Sequence, residues 1–229
     1  MSAVIFANGE LKDPQQARRI ATLADIVIAA DGGARHCLRL EIPPHVVIGD
    51  LDSLTAVELE RLRDLGAEVI KHEVRKDESD LELCLLHVLA SGIREVTVLA
   101  GLGRRWDMSL ANMLLPTYEK LHSLHIRFVH AETIIFLVGD EISFPGQPGD
   151  SVSLIPISGH TAHITTTGLE YPLQNESLIL GATRGISNQM TSTQATVKIG
   201  SGMLLCVIEH RAYVAAKGYP AGYQPEEFL

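Results

Sequence analysis

The first 130 residues alternate between short apolar runs and helical patterns, and no other feature restricts the fold as strongly. The strands predicted from these runs begin at Ala3, Asp25, Val46, Ala67, Glu95 and Ile126. Helix-start signals stand between them: Asp13-Pro14 resembles an N-cap and first helical residue, and Thr55 and Glu58 have capping-box spacing. Strands that alternate with helices indicate βαβ units, so we predict an α/β fold with a mainly parallel sheet and flanking helices.

Two further helices are expected in this half of the chain. Ser79 and Glu82 repeat the capping-box spacing and open an apolar helix that extends to Leu89. Another helical pattern runs from about Met108 to Leu121. Each pattern lies between two apolar runs, as a crossover connection between parallel strands requires.

The character of the chain changes at residues 144–150, where two prolines and two glycines fall within seven residues. Helical periodicity disappears beyond this segment, and short β-rich runs separated by turn residues recur instead. These runs cover residues 151–155, 162–167, 195–199, 203–208 and 212–215. The pattern predicts a small β-sandwich or barrel, so we expect an α/β domain at 1–143 and a β domain at 144–229.

Composition and charge exclude several classes of protein. Hydrophobic residues make up 46% of the chain, which is typical of a protein that buries a sizeable core. No apolar run approaches the ~18 residues of a membrane span, and the net charge of −9 argues against a nucleic-acid partner. The cysteines Cys37, Cys84 and Cys206 form no C-x-x-C pair. They favour reduced structural thiols in a cytoplasmic protein.

An apolar run leads directly into two aspartates at residues 46–53, Val-Val-Ile-Gly-Asp-Leu-Asp-Ser. Because a helix start follows at Thr55, Asp50 and Asp52 lie at a strand-to-helix crossing, where open α/β sheets bind ligands. Side chains two residues apart on an extended segment face the same way, and carboxylates held so suit Mg²⁺. Asp and Ser are also ordinary turn residues, so a solvated turn is the alternative interpretation.

Further acidic residues follow the other predicted strands. Asp31 follows the second strand, Asp77 and Asp80 the fourth, and Asp107 the fifth. The carboxyl ends of parallel strands lie at one edge, so these acids are expected to meet the aspartates of the third strand over one crevice. Two carboxylates about 4 Å apart repel by roughly 4 kcal/mol at an effective dielectric near 20. A divalent cation would relieve this repulsion, and an all-oxygen shell favours magnesium.

Basic residues and glycines occupy the same loops. Lys76 lies in the acidic loop after the fourth strand, and Arg104 and Arg105 follow the fifth. Glycines that let backbone N–H groups approach a ligand stand at Gly32, Gly33, Gly101 and Gly103. Carboxylates that can bind magnesium, basic side chains that can bind phosphate and exposed backbone N–H groups together indicate phosphoryl transfer. The chain lacks G-x-x-x-x-G-K-[ST], so a P-loop enzyme is excluded.

Several short motifs stand in order along the chain. They are Ala30-Asp-Gly-Gly-Ala34, Gly49-Asp-Leu-Asp-Ser53, Lys76-Asp-Glu-Ser-Asp80 with Glu82, Arg105-Trp-Asp107 with Leu110-Ala-Asn112, Gly168-Leu-Glu-Tyr-Pro-Leu173 and Gly185-Ile-Ser-Asn188. In this order they resemble the motifs of the thiamine pyrophosphokinase family. The resemblance covers nearly the whole chain, and its specificity lies in the ordered set because each motif alone is short.

The resemblance implies a homodimer of α/β and β-sandwich domains with the active site between subunits. It also implies transfer of a pyrophosphoryl group from ATP to the hydroxyl of thiamine, giving thiamine diphosphate and AMP. Catalysis would fall to Asp50, Asp52 and Asp80, and Mg²⁺ would be held by Asp50, Asp52, Asp77 and Asp80. ATP and its phosphates would contact Asp31, Gly32, Gly33, Lys76, Arg105, Asp107 and Asn112, and thiamine would contact Ser187 and Asn188. Whether Asp80 or Asp52 accepts the hydroxyl proton stays open.

Two positions depart from the family pattern. The family has a second glycine where this chain has Arg104, and a histidine where it has Met108. Arg104 either adds a phosphate contact or shifts the loop, and no histidine at 108 is present for acid–base chemistry. A β-turn is the alternative interpretation of Ser187-Asn188.

Two other functions remain open at the level of sequence. One is a pyrophosphokinase for another hydroxymethyl heterocycle, such as a pterin alcohol. The other is a catalytically silent nucleotide-binding module, which the altered loop at Arg104 and Met108 would suit.

Overall fold

The computed structural model describes residues 1–210 of the chain, which divides into two compact units between Ala131 and Glu132. The first unit contains β1 (Ser2–Phe6), α1 (Pro14–Leu23), β2 (Ile26–Ala30), α2 (Ala34–Leu40), β3 (Val46–Gly49), α3 (Ala56–Asp64), β4 (Glu68–Lys71), α4 (Asp80–Ala90), β5 (Glu95–Leu99), α5 (Trp106–Leu114) and β6 (His125–His130). The second contains β7 (Thr133–Val138), β8 (Glu141–Pro145), β9 (Ser151–Pro156), β10 (His160–Thr167), β11 (Gln174–Ile179), β12 (Asn188–Gln189), β13 (Gln194–Lys198) and β14 (Leu204–Glu209). The predicted strand at 212–215 lies outside the described residues.

The proline- and glycine-rich segment at 144–150 lies inside the second unit, where β8 ends. The change from helical to β-rich composition is therefore not the point at which the contacts divide the chain. The assignment of a catalytic domain to 1–143 and a thiamine-site and dimerisation domain to 144–229 stays a prediction.

The first unit is built on a parallel sheet with the strand order β4-β3-β2-β1-β5-β6. Each neighbouring pair in this series is parallel, and Val4 at its centre lies opposite Val27 on one side and Thr97 on the other. The central strands are almost completely buried, which explains their continuous rather than alternating apolar sequences. The predicted parallel sheet with flanking helices is confirmed.

Local sequence signals determine where the helices of this unit begin. The Asp13 side chain accepts hydrogen bonds from the N–H groups of residues 15 and 16, and Pro14 is the first helical residue of α1. Thr55 and Glu58 form the complete capping box of α3. The Ser79 side chain caps α4 by accepting from the N–H of Glu82. These helix starts confirm the sequence predictions.

The helix expected from Met108 to Leu121 is shorter than predicted. α5 ends at Leu114, and two short 3₁₀ helices follow at Leu115–Thr117 and Glu119–Leu121. Pro116 explains the break, because proline has no N–H to donate and its ring clashes with the preceding helical turn. The prediction was wrong at its end because the apolar pattern continued across this proline.

The second unit contains two antiparallel sheets. Their strand orders are β7-β14-β9-β12 and β11-β10-β13-β8. Inward-facing residues alternate with exposed ones, as in β13, where Ala195 and Val197 are buried. The rings of Phe136 on β7 and Phe144 on β8 meet edge to face at 5.8 Å, which joins the two sheets. The predicted β-sandwich is confirmed.

Four strands of the second unit were absent from the sequence prediction: β7, β8, β11 and the two-residue β12. β7 is an unbroken apolar run, which periodicity alone cannot assign. The turn before it contains Ala131 with a φ of 52°, a conformation that glycine or asparagine usually signals. β11 is mostly exposed and polar, so it carries little strand signal.

Cys37, Cys84 and Cys206 are buried and free, in agreement with the expectation of structural thiols. Burial raises the pKa of the Cys37 thiol to about 12, so this group stays protonated at neutral pH. Within residues 1–210, each helix is too short or too polar to serve as a membrane span.

Candidate active site

A cavity of about 950 Å³ opens at the carboxyl edge of the parallel sheet in the first unit. Its walls come from the loops that follow β1, β2, β3 and β5 and from the beginnings of α4 and α5. Five carboxylates line it, those of Glu10, Asp31, Asp50, Asp52 and Asp80. This is the edge at which open α/β sheets bind ligands, and the volume is ample for a nucleotide-sized molecule.

Asp31, Asp50 and Asp52 form a close group of carboxylates, which we call the acidic triad. One oxygen from each lies within 4.8 Å of the others. Asp31 is only 5% exposed, and its Oδ1 has no hydrogen-bond partner among the described residues. Asp50 accepts a hydrogen bond from the N–H of Asp52 at 3.2 Å. Three carboxylates this close, one with a buried oxygen lacking a donor, fit a hard divalent cation such as Mg²⁺.

The loops around the triad have an unusual backbone. Asp31, Leu51 and Ala100 follow β2, β3 and β5, and their φ angles are 42°, 66° and 53°. Non-glycine residues rarely adopt this left-handed region, and each instance costs about 1–3 kcal/mol unless the surroundings enforce it. The repetition in three loops at the same edge of the sheet indicates that the strand ends are shaped for binding.

Gly49 is the last residue of β3 and separates two of the acidic side chains. A Cβ at this position would lie 2.8 Å from the Asp31 Cβ and 3.2 Å from the Asp80 carboxyl carbon. Only glycine therefore lets the two carboxylates approach from either side of the strand end.

Lys76 contacts two of the cavity carboxylates. Its Nζ lies 2.9 Å from Asp80 Oδ1 and 3.8 Å from Asp50 Oδ2, and its side chain is only 13% exposed. Burial lowers the Lys76 pKa, but the nearby carboxylates outweigh burial and raise it. The pKa of Asp80 is raised by burial and by the charges of Asp50 and Asp31, despite the opposing effect of Lys76. The ammonium group thus offsets part of the repulsion between the acids.

The loop after β5 places two arginines at the cavity. Arg105 makes two contacts with Asp107, at 2.5 and 3.2 Å, and these lower the Asp107 pKa. Arg104 is 94% exposed, and its Nε lies 3.5 Å from Glu10. Both arginines line the cavity, and the ion pair of Arg105 is shorter than that of Arg104.

The other residues predicted to contact ATP are buried beside the cavity. Asn112 is 6% exposed and donates to the Gly101 carbonyl at 2.6 Å, while its own carbonyl oxygen has no partner among the described residues. A Cβ on Gly32 or Gly33 would lie 2.4 Å from the Asn8 side chain or 2.0 Å from the Phe6 carbonyl oxygen. The two glycines are thus needed for packing against the end of β1.

Asp77 occupies a different position from the other predicted metal ligands. It lies on the exposed loop before α4 and is not part of the acidic triad, which instead contains Asp31. Asp80 joins the site through Lys76, as described above. The ligand set Asp50, Asp52, Asp77 and Asp80 stays a prediction.

Ser187 and Asn188, the predicted thiamine-binding residues, lie in the second unit. The Asn188 side chain accepts from the N–H of Tyr171 at 3.0 Å and donates to its carbonyl at 2.8 Å. Ser187 has a φ of 60° and donates its N–H to the Ser153 hydroxyl. Asn188 thus joins the segments 168–173 and 185–188, a structural role that is compatible with either the turn or the ligand interpretation.

Sequence reasoning overlooked the loop after β1 as part of the site. Glu10 and Lys12 from this loop line the cavity, together with His36 and Arg39 from α2. His36 Nε2 lies 3.0 Å from the Gly9 carbonyl, and burial lowers the His36 pKa. Asn8-Gly9, which follows β1, is typical of a turn and gives no further functional signal. Part of the signal was available, because β1 was predicted to belong to the same parallel sheet and the carboxyl ends of parallel strands open at one edge. The central place of β1 in the sheet was known only from the structure.

These features define a protein of two units, an α/β unit with an acidic cavity at the strand ends and an antiparallel β unit. A family model for the catalytic domain of thiamin pyrophosphokinase matches residues 17–128. A second model, for the vitamin B1 binding domain of thiamin pyrophosphokinase, matches residues 141–204. Together the matches span most of the chain, which therefore belongs to the thiamin pyrophosphokinase family.

Relatives with known names agree with this assignment. The chain is 28% identical over 182 residues to thiamine pyrophosphokinase of Bacillus subtilis (strain 168), covering 79% of this chain and 85% of that protein. It is 28% identical over 225 residues to thiamine pyrophosphokinase 1 of Oryza sativa subsp. japonica, covering 87% and 83%. The crystal structure of the Bacillus subtilis enzyme has a TM-score of 0.81, with 26% identity and coverage of 92% and 99%. The thiamin pyrophosphokinase structure from Geobacillus thermodenitrificans has a TM-score of 0.79, with 25% identity and coverage of 91% and 97%.

Proposed function

We propose that this chain transfers a pyrophosphoryl group from ATP to the hydroxyl of thiamine, releasing thiamine diphosphate and AMP. Membership in the thiamin pyrophosphokinase family supports the reaction class. The observation that carries the proposal is the acidic triad of Asp31, Asp50 and Asp52 beside Lys76 and the two loop arginines. Carboxylates for a cation and bases for phosphate meet in one cavity, as phosphoryl transfer requires.

Asp50, Asp52 and Asp80 would hold Mg²⁺, with Asp77 and Asp31 assisting. The oxygen-only donor set and the Asp31 oxygen without a donor fit this ion. When bound, Mg²⁺ supplies positive charge that neutralises the phosphate oxygens.

The remaining catalytic work is positioning and proton transfer. Lys76 and Arg105 would neutralise phosphate charge, and Asp107, Asn112 and the loop of Gly32 and Gly33 would border the nucleotide. The thiamine hydroxyl oxygen forms the new bond to the β-phosphorus, and the bridge from the β- to the α-phosphate breaks as AMP leaves. An aspartate, Asp80 or Asp52, accepts the hydroxyl proton.

The thiamine end of the site would come from the β unit of a partner subunit in a homodimer. Ser187 and Asn188 are the residues we expect there. Two exposed side chains accompany them: Ile186 precedes Ser187 in the sequence, and the Tyr171 N–H donates to the Asn188 side chain. The three free, buried cysteines suit a protein that works in the reducing cytoplasm.

The test is product analysis after incubation with thiamine, ATP and Mg²⁺. Wild-type protein is expected to form AMP and thiamine diphosphate in equal amounts. Asp52→Asn should lower turnover by roughly 100-fold or more while leaving the circular-dichroism spectrum unchanged. Asp64→Asn, which removes an exposed carboxylate at the end of α3, is the matched control and should behave as wild type. Full activity in Asp52→Asn would refute the proposed site.

The same assay separates the two rival functions. AMP formation with a pterin alcohol but not with thiamine would indicate another hydroxymethyl heterocycle as acceptor. ATP binding without AMP release in the presence of thiamine would indicate a silent nucleotide-binding module.

A further inference from the structure

The two arginines after β5 differ in how firmly their charges are paired. Arg105 is held by two short contacts to Asp107, at 2.5 and 3.2 Å. Arg104 has only a 3.5 Å contact to Glu10, and Glu10 has a closer partner in Lys12 at 2.6 Å. The positive charge of Arg104 is therefore the more available of the two for a ligand.

The backbone that carries Arg104 is anchored at the cavity rim. The N–H groups of Gly9 and Glu10 donate to the carbonyls of Ala100 and Leu102, both at 2.8 Å. The Gly103 N–H donates to the Ser109 hydroxyl at 3.0 Å. Arg104 thus extends from a loop fixed on both sides, so the extra side chain is accommodated while these hydrogen bonds remain in place.

The charge balance of the cavity favours a phosphate ligand for this arginine. Five carboxylates line the cavity, so an anionic ligand meets repulsion unless basic groups contact it. An exposed arginine–carboxylate pair at 3.5 Å contributes little, whereas a guanidinium that binds a phosphate with two parallel hydrogen bonds contributes more. It is therefore favourable for the Arg104 guanidinium to leave the Glu10 carboxylate and bind a phosphate group of the ligand.

We propose that Arg104 is an additional nucleotide-binding residue that leaves Glu10 and binds a phosphate group of ATP. The inference rests on the proposed function, since it names one more contact in that site.

Calorimetric titration with ATP in the presence of Mg²⁺ tests the inference. Arg104→Ala should weaken ATP binding by roughly 10- to 100-fold, the range expected for loss of a charge-assisted contact. Arg104→Lys should lie between this variant and wild type, because lysine keeps the charge but not the two-pronged geometry. Arg63→Ala, an exposed arginine on α3, is the control for net charge and should bind as wild type.

Adenosine separates a phosphate contact from a general disturbance of the loop. It has no phosphate, so its affinity should be the same in wild type and Arg104→Ala. Equal ATP affinity in these two proteins, or an equal loss for ATP and adenosine, would overturn the inference. Wild-type protein that binds ATP through Arg104 but forms no AMP with thiamine would refute the proposed function alone. Wild-type protein that binds no ATP would overturn both.

Discussion

At the scale of single residues, Asp31 combines three properties that seldom occur together. It is buried, it adopts a φ of 42°, and one of its oxygens has no donor among the described residues. Aspartate and asparagine tolerate this backbone region better than most residues, so Asp31→Asn removes the charge while keeping the conformation. This variant therefore separates the contribution of the Asp31 charge from the contribution of its backbone conformation.

We expect Asp31→Asn to reduce the stabilisation that Mg²⁺ gives to the folded protein. A cation that binds only the native state raises the melting temperature by mass action, and removal of one carboxylate weakens that binding. Without Mg²⁺ the variant should melt no lower than wild type, because repulsion within the triad is relieved. Differential scanning fluorimetry with and without Mg²⁺ measures both effects, with Asp64→Asn as control. An unchanged response to Mg²⁺ in Asp31→Asn would contradict the role of the triad.

Gly49→Ala should destabilise the first unit by about 1–3 kcal/mol, because overpacking forces neighbouring groups to move. The added Cβ would lie 2.8 Å from the Asp31 Cβ, and both Asp31 and Asp80 would have to shift. Gly139→Ala is the control, since a Cβ there has no neighbour within 4 Å. Urea unfolding measures the difference, and equal losses in the two variants would contradict the close packing at the end of β3.

At the scale of elements, α3 shows a helix start that sequence and structure describe in the same way. Thr55 and Glu58 exchange the hydrogen bonds of a capping box, and the Glu58 carboxylate also accepts from Arg35 at 2.9 Å. Hydrogen bonds from Arg35 and then Thr55 lower the pKa of Glu58 to about 2. The capping box could be predicted from spacing, but the link to Arg35 could not, because it joins residues of different helices.

Glu58→Gln should destabilise the protein at pH 7 by roughly 0.3–1 kcal/mol and have little effect near pH 2. The unfolded chain takes up the Glu58 proton at a higher pH than the folded chain. The contribution of Glu58 is therefore complete above its ordinary pKa and is lost as the pH falls toward about 2. Thermal unfolding at several pH values measures this, with Glu60→Gln on the same helix as control. A difference that persists at pH 2 would contradict the charged interaction.

Other elements show where sequence information ended. The strands and helix starts of the parallel sheet were predictable because capping residues and apolar runs are local signals. The end of α5 was predictable from Pro116, but the prediction followed the apolar pattern that continues beyond this proline. β7 was missed because Ala131 makes its turn without glycine or asparagine. Local rules therefore failed at Ala131, whose conformation alanine seldom signals, and at Pro116, where the apolar pattern was given more weight than the proline.

At the scale of the whole molecule, topology explains why most of the predicted acids approach one another. Asp31, Asp50 and Asp52 follow neighbouring strands of one parallel sheet, so a common edge could be predicted from sequence order alone. The pairing of Lys76 with Asp80 and the exposure of Asp77 depend on side-chain positions in one loop, which spacing does not determine. The contribution of the β1 loop likewise required the sheet order.

If the active site is shared between two subunits, two inactive variants should restore activity when mixed. Asp52→Asn disables the α/β side and Asn188→Ala the β side, so a mixed dimer contains one intact site. Random exchange of equal amounts gives about one quarter of wild-type activity. Activity of the mixture after subunit exchange, compared with each variant alone, is the measurement. A mixture no more active than its components would place the whole site within one subunit.

We expect the carboxylates that follow β2 and β3, together with Asp80 at the start of α4, to hold the cation that accompanies the nucleotide. Crystals grown with Mn²⁺, thiamine and a non-hydrolysable ATP analogue would locate that ion by its anomalous scattering. We expect a peak bonded to oxygens of Asp50 and Asp52, at about 2.2 Å, and to the phosphates of the analogue. An occupied nucleotide whose metal peak lies away from Asp50 and Asp52 would contradict the account.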